Sequence, residues 1–342
     1  MKAAVFYEPG KILIEDAKLK EANDDELIIK VEYCAICGTD LRIYNSGSDK
    51  IKDKRIIGHE ITGYIHEVGK NVTDYKKGDK VVVAPVVACG KCDYCIKGKS
   101  NLCDNSFVIG YHVDGGFAEF VHMSKEVVNS GAIIKLSEKA DLKQMSIAEP
   151  LSCVINGQEF LPIKPADTVL IIGGGPIGVM NALLAKAKGA EVYLTDVNDD
   201  RLQKVAAMGI NTFLNKSELI DDFEKNTGLS NVDFSIVACS VPQAQKNAVE
   251  IVKKGGGVSF FAGLPASMTE NPIPTNIIHY KEITVYGANS STVEQVKTAC
   301  KLIETKIIDA DMIITHEVVL DNIFEGFNLI KSGEAIKVAV KI

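Results

Sequence analysis

The sequence predicts an α/β protein of two domains, a mainly β, barrel-like body at the N-terminus and a doubly wound parallel sheet after it. Three observations predict this. Residues 1 to about 150 read as short strands separated by turn dipeptides. Residues 166–289 alternate apolar strands with helical stretches, the pattern of a parallel sheet. A glycine triplet stands at the first strand-to-helix junction of that second region. The chain has 342 residues, a two-domain length, and its 46% hydrophobic and 24% charged content is enough for a full core in each. The expected division is a first domain over 1–150, completed by 290–342, and a second over 151–289.

In the first region the strands are LIIKVEYCAI, ITGYIHEVG, DKVVVAPVVA and GGFAEFVHM, punctuated by Gly-Asp, Gly-Lys and Asp-Gly turns. Between them lies CGKCDYCIKGKSNLC, in which Cys89, Cys92, Cys95 and Cys103 are separated by two, two and seven residues. Four thiolates this close can surround one tetrahedral Zn²⁺, and Gly90 and Gly98 favour the loop that must wrap the ion. Four cysteines close the coordination shell, so this zinc is expected to be structural. Disulfides or free thiols are the plainer alternative.

In the second region the strands are TVLIIG, EVYLTD, NTFL, DFSIVAC, VSFFAG and ITVYG, with helices expected over 176–188, 199–208 and 243–252. Gly173, Gly175 and Gly178 fit G-x-G-x-x-G directly after a strand and at a helix start, with Pro176 and Ile177 inside the motif. The first glycine permits the tight turn, the second lets the backbone approach a pyrophosphate, and the third lets helix and strand pack closely. Asp196 ends the next strand, where its carboxylate accepts ribose hydroxyls and repels a 2′-phosphate, which favours NAD over NADP. Arg201, five residues on, is a further cofactor-binding candidate that keeps NADP open. After about residue 290, STVEQVKTACKLIET reads as an amphipathic helix and EAIKVAVKI as a final strand, expected to return to the sheet of the first domain.

The formal net charge of −7 argues against nucleic acid as a partner. The N-terminus reaches charged residues too early for a signal peptide, and no apolar run approaches the roughly 18 residues that span a bilayer. Nine cysteines without a secretion signal imply a reducing compartment, the cytoplasm by default.

A second set of metal-ligand types lies upstream. Cys37 sits in CGTD, His59 and Glu60 in GHE, and Glu149 begins EPLSC. Thiolate, imidazole and carboxylate together suit a zinc with one position left open. GHEITGYIHEVGKNV, the spacing of the cysteine run and the dinucleotide loop together resemble the zinc-containing medium-chain alcohol dehydrogenases over nearly the whole chain. Within them the pair GHE and EPL is most similar to the polyol branch, the sorbitol or L-iditol dehydrogenases and their sugar-alcohol-phosphate relatives.

The resemblance implies a GroES-like catalytic domain, a Rossmann domain, two zinc ions per chain and NAD. It implies that Cys37, His59 and Glu60 or Glu149 hold the catalytic zinc, with the two glutamates exchanging as water or substrate enters. Cys153, one helical turn beyond Glu149, is a third candidate. Thr39 matches the hydroxyl that bonds the substrate oxygen, and Asp40 supports a zinc ligand or forms a turn. The implied reaction is hydride transfer from a secondary alcohol, a polyol or sugar alcohol, to NAD. Threonine-type and sugar-alcohol-phosphate dehydrogenases are rivals, and a catalytically idle NAD- and zinc-binding protein is the alternative of another class.

The chain departs from the family pattern twice. Arg42, Ile43 and Tyr44 stand where many relatives have a relay histidine, so proton exit must use the cofactor ribose and water or another group; Arg42 could instead meet the cofactor phosphates. Ala288, Asn289 and Ser290 follow the last Rossmann strand, where sorbitol dehydrogenases have a polyol-binding Arg-Tyr pair, which argues against sorbitol itself. Tyr111 and His112 are candidates to line the pocket. A homotetramer or homodimer is expected from the resemblance and from the apolar late Rossmann strands.

Overall fold

The computed structural model describes residues 1–342 apart from 217, 266 and 269. The chain forms two compact units, Met1–Ser152 with Ser290–Ile342, and Cys153–Asn289. The first break falls inside the helix Ala148–Glu159.

The first unit is built on the strand Leu27–Ala35, whose residues are buried on both faces over most of its length. It runs antiparallel to Glu60–Val68 on one side and to Lys337–Lys341 on the other. The sheet order is Ile133–Lys135, Lys80–Val83, Glu60–Val68, Leu27–Ala35, Lys337–Lys341 and Ile314–Val319. The final strand Lys337–Lys341 thus pairs with Leu27–Ala35 within the first unit. Register matters here. Ala35 lies opposite Glu60 on one side and Ala339 on the other, and the Ile36 N–H donates to the Val338 carbonyl at 3.0 Å. The ladder thus brings Cys37, Glu60 and Lys337 to the same end of the sheet.

The region read as strands and turns also contains helices, of which Gly38–Ser46 matters most. It starts because Asp40, in its first turn, turns its carboxylate back to accept the Cys37 N–H at 2.8 Å. That satisfies a donor the helix itself cannot. Ile43 and Asp40 face inward and are buried.

The second unit has six parallel strands in the order Asn211–Leu214, Glu191–Asp196, Thr168–Ile172, Val232–Val237, Val252–Phe260 and Thr284–Gly287. Thr168–Ile172 is buried throughout, which is why it reads as a continuous apolar run rather than an alternating one. The three predicted helices form over Pro176–Ala187, Asp199–Ala206 and Pro242–Ile251. Leu219–Thr227 and Thr275–Lys281 are additional helices that the sequence reading lacks. The first is acidic and short, and buries only Leu219 and Phe223, against a core that includes Leu170, Ile172, Phe213 and Val258.

Candidate metal centres and cofactor loop

Cys89, Cys92, Cys95 and Cys103 bring one sulfur each to within 4.8 Å of one another. The positive φ of Gly90 (72°) and Gly98 (74°) lets the loop curl around them. All nine cysteines are free thiols. The Sγ atoms of Cys92 lie 3.5 Å from Cys95 and 3.8 Å from Cys103, far beyond a disulfide bond. With zinc–sulfur bonds of ~2.3 Å a tetrahedron has edges of roughly 3.8 Å, so the cluster has the size a zinc ion needs. Backbone N–H groups of Lys91 and Cys92 bond the Cys89 sulfur and lower its pKa to about 6, while burial and the neighbouring thiols push Cys95 up to about 12. The donors aimed at the Cys89 sulfur favour its thiolate, the form that binds metal.

The second set is assembled from distant segments. Cys37 follows the end of Leu27–Ala35, and Glu60 begins the strand paired with it. Adjacent side chains on extended backbone point apart, so His59 and Glu60 reach one place only if the chain bends. Just before them the chain turns at Gly58, whose φ is 92° and where a Cβ would lie 2.9 Å from the Cys34 sulfur and the Phe117 ring. Cys37, His59 and Glu60 then each bring one ligand atom within 4.8 Å of the others. His59 and Glu60 are buried.

Asp40 is fully buried and its Oδ1 lies 3.5 Å from His59 Nδ1. It stands where a carboxylate orients a ligating imidazole. Burial works against charge on His59, but Asp40 and Cys37 outweigh it and hold its pKa well above the usual value. Among the described residues, His59 Nδ1, Asp40 Oδ1 and Glu60 Oε2 are buried without a hydrogen-bond partner. An orphaned carboxylate oxygen beside a thiol and an imidazole is the donor set a zinc ion would satisfy.

The sequence reading missed Lys337. It is 2% exposed, and its Nζ lies 2.6 Å from Glu60 Oε1. Burial disfavours its charge, yet Glu60, with Cys37 adding, raises its pKa; burial in turn pushes the Glu60 carboxyl up to about 7 although Lys337 holds it down. A lysine in a terminal β strand carries no local signal of such a role. Only its place in an otherwise apolar run, EAIKVAVKI, hints that it is buried.

Glu149 sits in the first turn of Ala148–Glu159 and is buried, and its charge acts on both Glu60 and Lys337. It stands outside the group of three that converges within 4.8 Å. Cys153 falls in the second unit. Thr39 lies on the helix that starts after Cys37 and acts on the Tyr111 hydroxyl, whose pKa it lowers against the larger, raising effect of burial, and the Tyr111 ring lies 5.7 Å from that of His59. His112 behaves differently. Its Nδ1 accepts the Val108 N–H at 3.0 Å and the residue is exposed, so it secures a turn.

In the second unit Gly173 has φ of 111°, and a Cβ on Gly178 would collide with the Gly173 carbonyl oxygen. Gly175 caps the helix Pro176–Ala187, with Pro176 at its first position and Ile177 next. A Cβ on Gly175 would meet nothing within 4 Å, so the backbone there is open to a ligand. Asp196 does not cap the following helix; Asn198 does, accepting the Arg201 N–H at 3.0 Å. The Asp196 carboxylate instead receives the Gly174 N–H at 2.7 Å, the Asn198 N–H at 2.9 Å and the Arg201 guanidinium at 3.1 Å. It thereby joins the glycine loop to the strand end where a ribose would lie.

Two family models match the chain. Residues 23–131 match the alcohol dehydrogenase GroES-like domain, and residues 176–305 match the zinc-binding dehydrogenase model. The chain is 32% identical to L-galactonate-5-dehydrogenase of Escherichia coli K12, over 98% of each chain. It is 33% identical to sorbitol dehydrogenase of Bacillus subtilis, over 84% of this chain and 81% of that one. A dehydrogenase of Escherichia coli CFT073 solved with NADH superposes with a TM-score of 0.90 at 25% identity, over 100% of this chain and 99% of that one. No helix among the described residues is long and apolar enough to cross a membrane. Sequence identity sustained from end to end makes this chain a member of the zinc-containing medium-chain alcohol dehydrogenases, enzymes that use zinc and a nicotinamide dinucleotide to interconvert alcohols and carbonyl compounds.

Proposed function

We propose that this chain oxidises a secondary alcohol of a polyol or sugar-derived substrate. A hydride passes from the carbinol carbon to NAD, the hydroxyl proton leaves to solvent, and a ketone is released. The observation that carries the reading is the convergence of Cys37, His59 and Glu60, within 4.8 Å of one another and beside Thr39. A catalytically idle protein would have no need to keep such a donor set next to a hydroxyl.

Cys37, His59 and Glu60 would hold the open zinc, and Cys89, Cys92, Cys95 and Cys103 the closed one. A bound zinc supplies Lewis acidity that brings an alcohol's pKa toward neutrality, and a nicotinamide ring supplies the hydride acceptor. The remaining work falls to the chain. Asp40, 3.5 Å from His59 Nδ1, is the carboxylate that would orient the His59 ring when a metal is bound. Lys337 balances the Glu60 charge, so thiolate and carboxylate can both face the metal without leaving the site strongly anionic. Thr39 and the neighbouring Tyr111 hydroxyl offer the first step of a proton path in place of the missing histidine. Glu149 stands close enough to influence Glu60 electrostatically and acts through water or during ligand exchange.

A panel of polyols, amino alcohols and sugar-alcohol phosphates, read as NADH formation, tests the reading. No turnover with any of them by zinc-loaded protein would defeat it. Glu149→Ala should keep the catalytic zinc and lose most turnover, whereas Glu60→Ala should lose both, as metal analysis would report. Asp196→Ala should weaken NAD by about tenfold and narrow the gap to NADP, since the carboxylate that bonds the ribose diol is gone. A wild type that uses NADP better would contradict that assignment. The reading also carries a homo-oligomer, tetramer before dimer, which light scattering decides.

A further inference from the structure

The segment 50–55, IKDKR with its leading lysine, carries four cations, and they are differently placed. Arg55 pairs with Asp114 at 3.1 Å. Lys54 lies over the Tyr7 ring at 5.7 Å. Lys52 is exposed. Lys50 alone of these reaches toward the zinc ligands. Its Nζ lies 5.8 Å from the centre of the Tyr111 ring, which itself lies 5.7 Å from that of His59. All of these residues belong to the first unit.

Among the described residues Lys50 makes no ion pair, although Asp49 and Asp53 flank it in sequence. The aromatic face holds the ammonium by its quadrupole without consuming its hydrogen-bond donors. A fixed cation with free donors, two contacts away from a metal ligand, is placed to bind the far end of a substrate whose hydroxyl is at the metal. That end must be anionic to gain from it, since a neutral hydroxyl would compete poorly with water for an exposed ammonium.

We propose that Lys50, steadied on Tyr111, is an anion-recognising subsite, and that the substrate is an alcohol carrying a terminal carboxylate or phosphate rather than a neutral polyol. This rests on the dehydrogenase reading above and narrows its substrate class. The two anions share the chemistry of charged oxygens on a sugar-sized chain, and they differ in charge and in reach.

The test compares zinc-loaded wild type, Lys50→Met and Lys50→Arg on three substrates: sorbitol, galactonate and sorbitol phosphate. The readout is the ratio of kcat/KM for each anion to that for the neutral alcohol. In wild type the ratio should exceed one for galactonate, for sorbitol phosphate or for both, and the larger ratio tells carboxylate from phosphate. Lys50→Met should lower it about tenfold or more, chiefly through KM, and Lys50→Arg should restore much of it. The preference should also weaken as ionic strength rises, in wild type and not in Lys50→Met. A wild type that turns over sorbitol with no anion preference, or a ratio unmoved by Lys50→Met, would overturn the subsite and leave the dehydrogenase reading standing. Failure of all three, and of every compound in the panel above, to reduce NAD would sink both.

Discussion

The two metal centres of the first unit are built in opposite ways. The four-cysteine cluster comes from one stretch of fifteen residues, Cys89 to Cys103. Three of its sulfurs belong to residues only half buried, and the donors aimed at them are backbone N–H groups of the same loop. The other centre draws Cys37, His59, Glu60 and Lys337 from three separate strand ends, buries all but the half-buried Cys37, and surrounds them with Asp40 and Glu149. The first can form wherever its loop folds. The second exists only once the sheet has the correct register. The lesson is that a stabilising site can be local, because it needs only ligands. A reacting site needs an environment as well, and that environment must come from elsewhere in the chain.

Removing one thiol from each centre should separate the two most sharply. Cys37→Ser should reduce turnover by about a thousandfold or more and empty one zinc position, with thermal stability little changed, since the sheet around it persists. Cys92→Ser should also leave one zinc per chain but lower Tm, because structural zinc binding is coupled to folding. Metal analysis with thermal melts checks both. Equal effects on stability would erase the distinction.

Lys337→Met attacks the environment rather than the ligands. It strands the Glu60 carboxylate in a buried site and should cost about 3–5 kcal/mol of stability. Adding Glu60→Gln should recover much of that loss, because the uncompensated charge is gone, without restoring turnover. Chemical denaturation of the two variants reads the difference. A Lys337→Met protein as stable as wild type would mean the ion pair is incidental.

The smallest effect belongs to Asp40→Asn. The amide keeps the shape and the cap on Cys37 but lacks the charge facing His59. It should weaken zinc at the open centre or reduce turnover by about ten- to a hundredfold. Among the described residues no carboxylate stands to the four-cysteine cluster as Asp40 does to His59, so its zinc should be retained. Zinc competition with a chelator, following both ions, reports it.

Much of this was legible in the chain because it is local. The spacing of Cys89, Cys92, Cys95 and Cys103 specifies a loop around an ion. Gly173, Gly175 and Gly178, between a strand and a helix, specify a phosphate turn, and Asp196 lies one strand further on. His59 and Glu60 could be named as ligand types, but their convergence with Cys37 depends on the pairing of two strands distant in the chain. Sequence patterning assigned neither the helix Gly38–Ser46 nor the helix Leu219–Thr227, since both are short and mixed in polarity and are held by a cap or by packing of one or two side chains. Tyr111 and His112 are neighbours that looked equivalent, and only packing separated the ring beside His59 from the ring that fastens a turn.

The sequence by itself determined the two domain types, the closed zinc site and the dinucleotide loop, because each depends on contacts between residues close along the chain. The tertiary structure alone decided the partner of Glu60, which lies 277 residues away. That pairing follows from register. Once Leu27–Ala35 accepts Glu60–Val68 on one side and Lys337–Lys341 on the other, the pleat carries Lys337 past the strand end into the anionic pocket of Cys37 and Glu60. A buried ammonium is stable only opposite a carboxylate, so the sheet that places them together also explains why each is tolerated there.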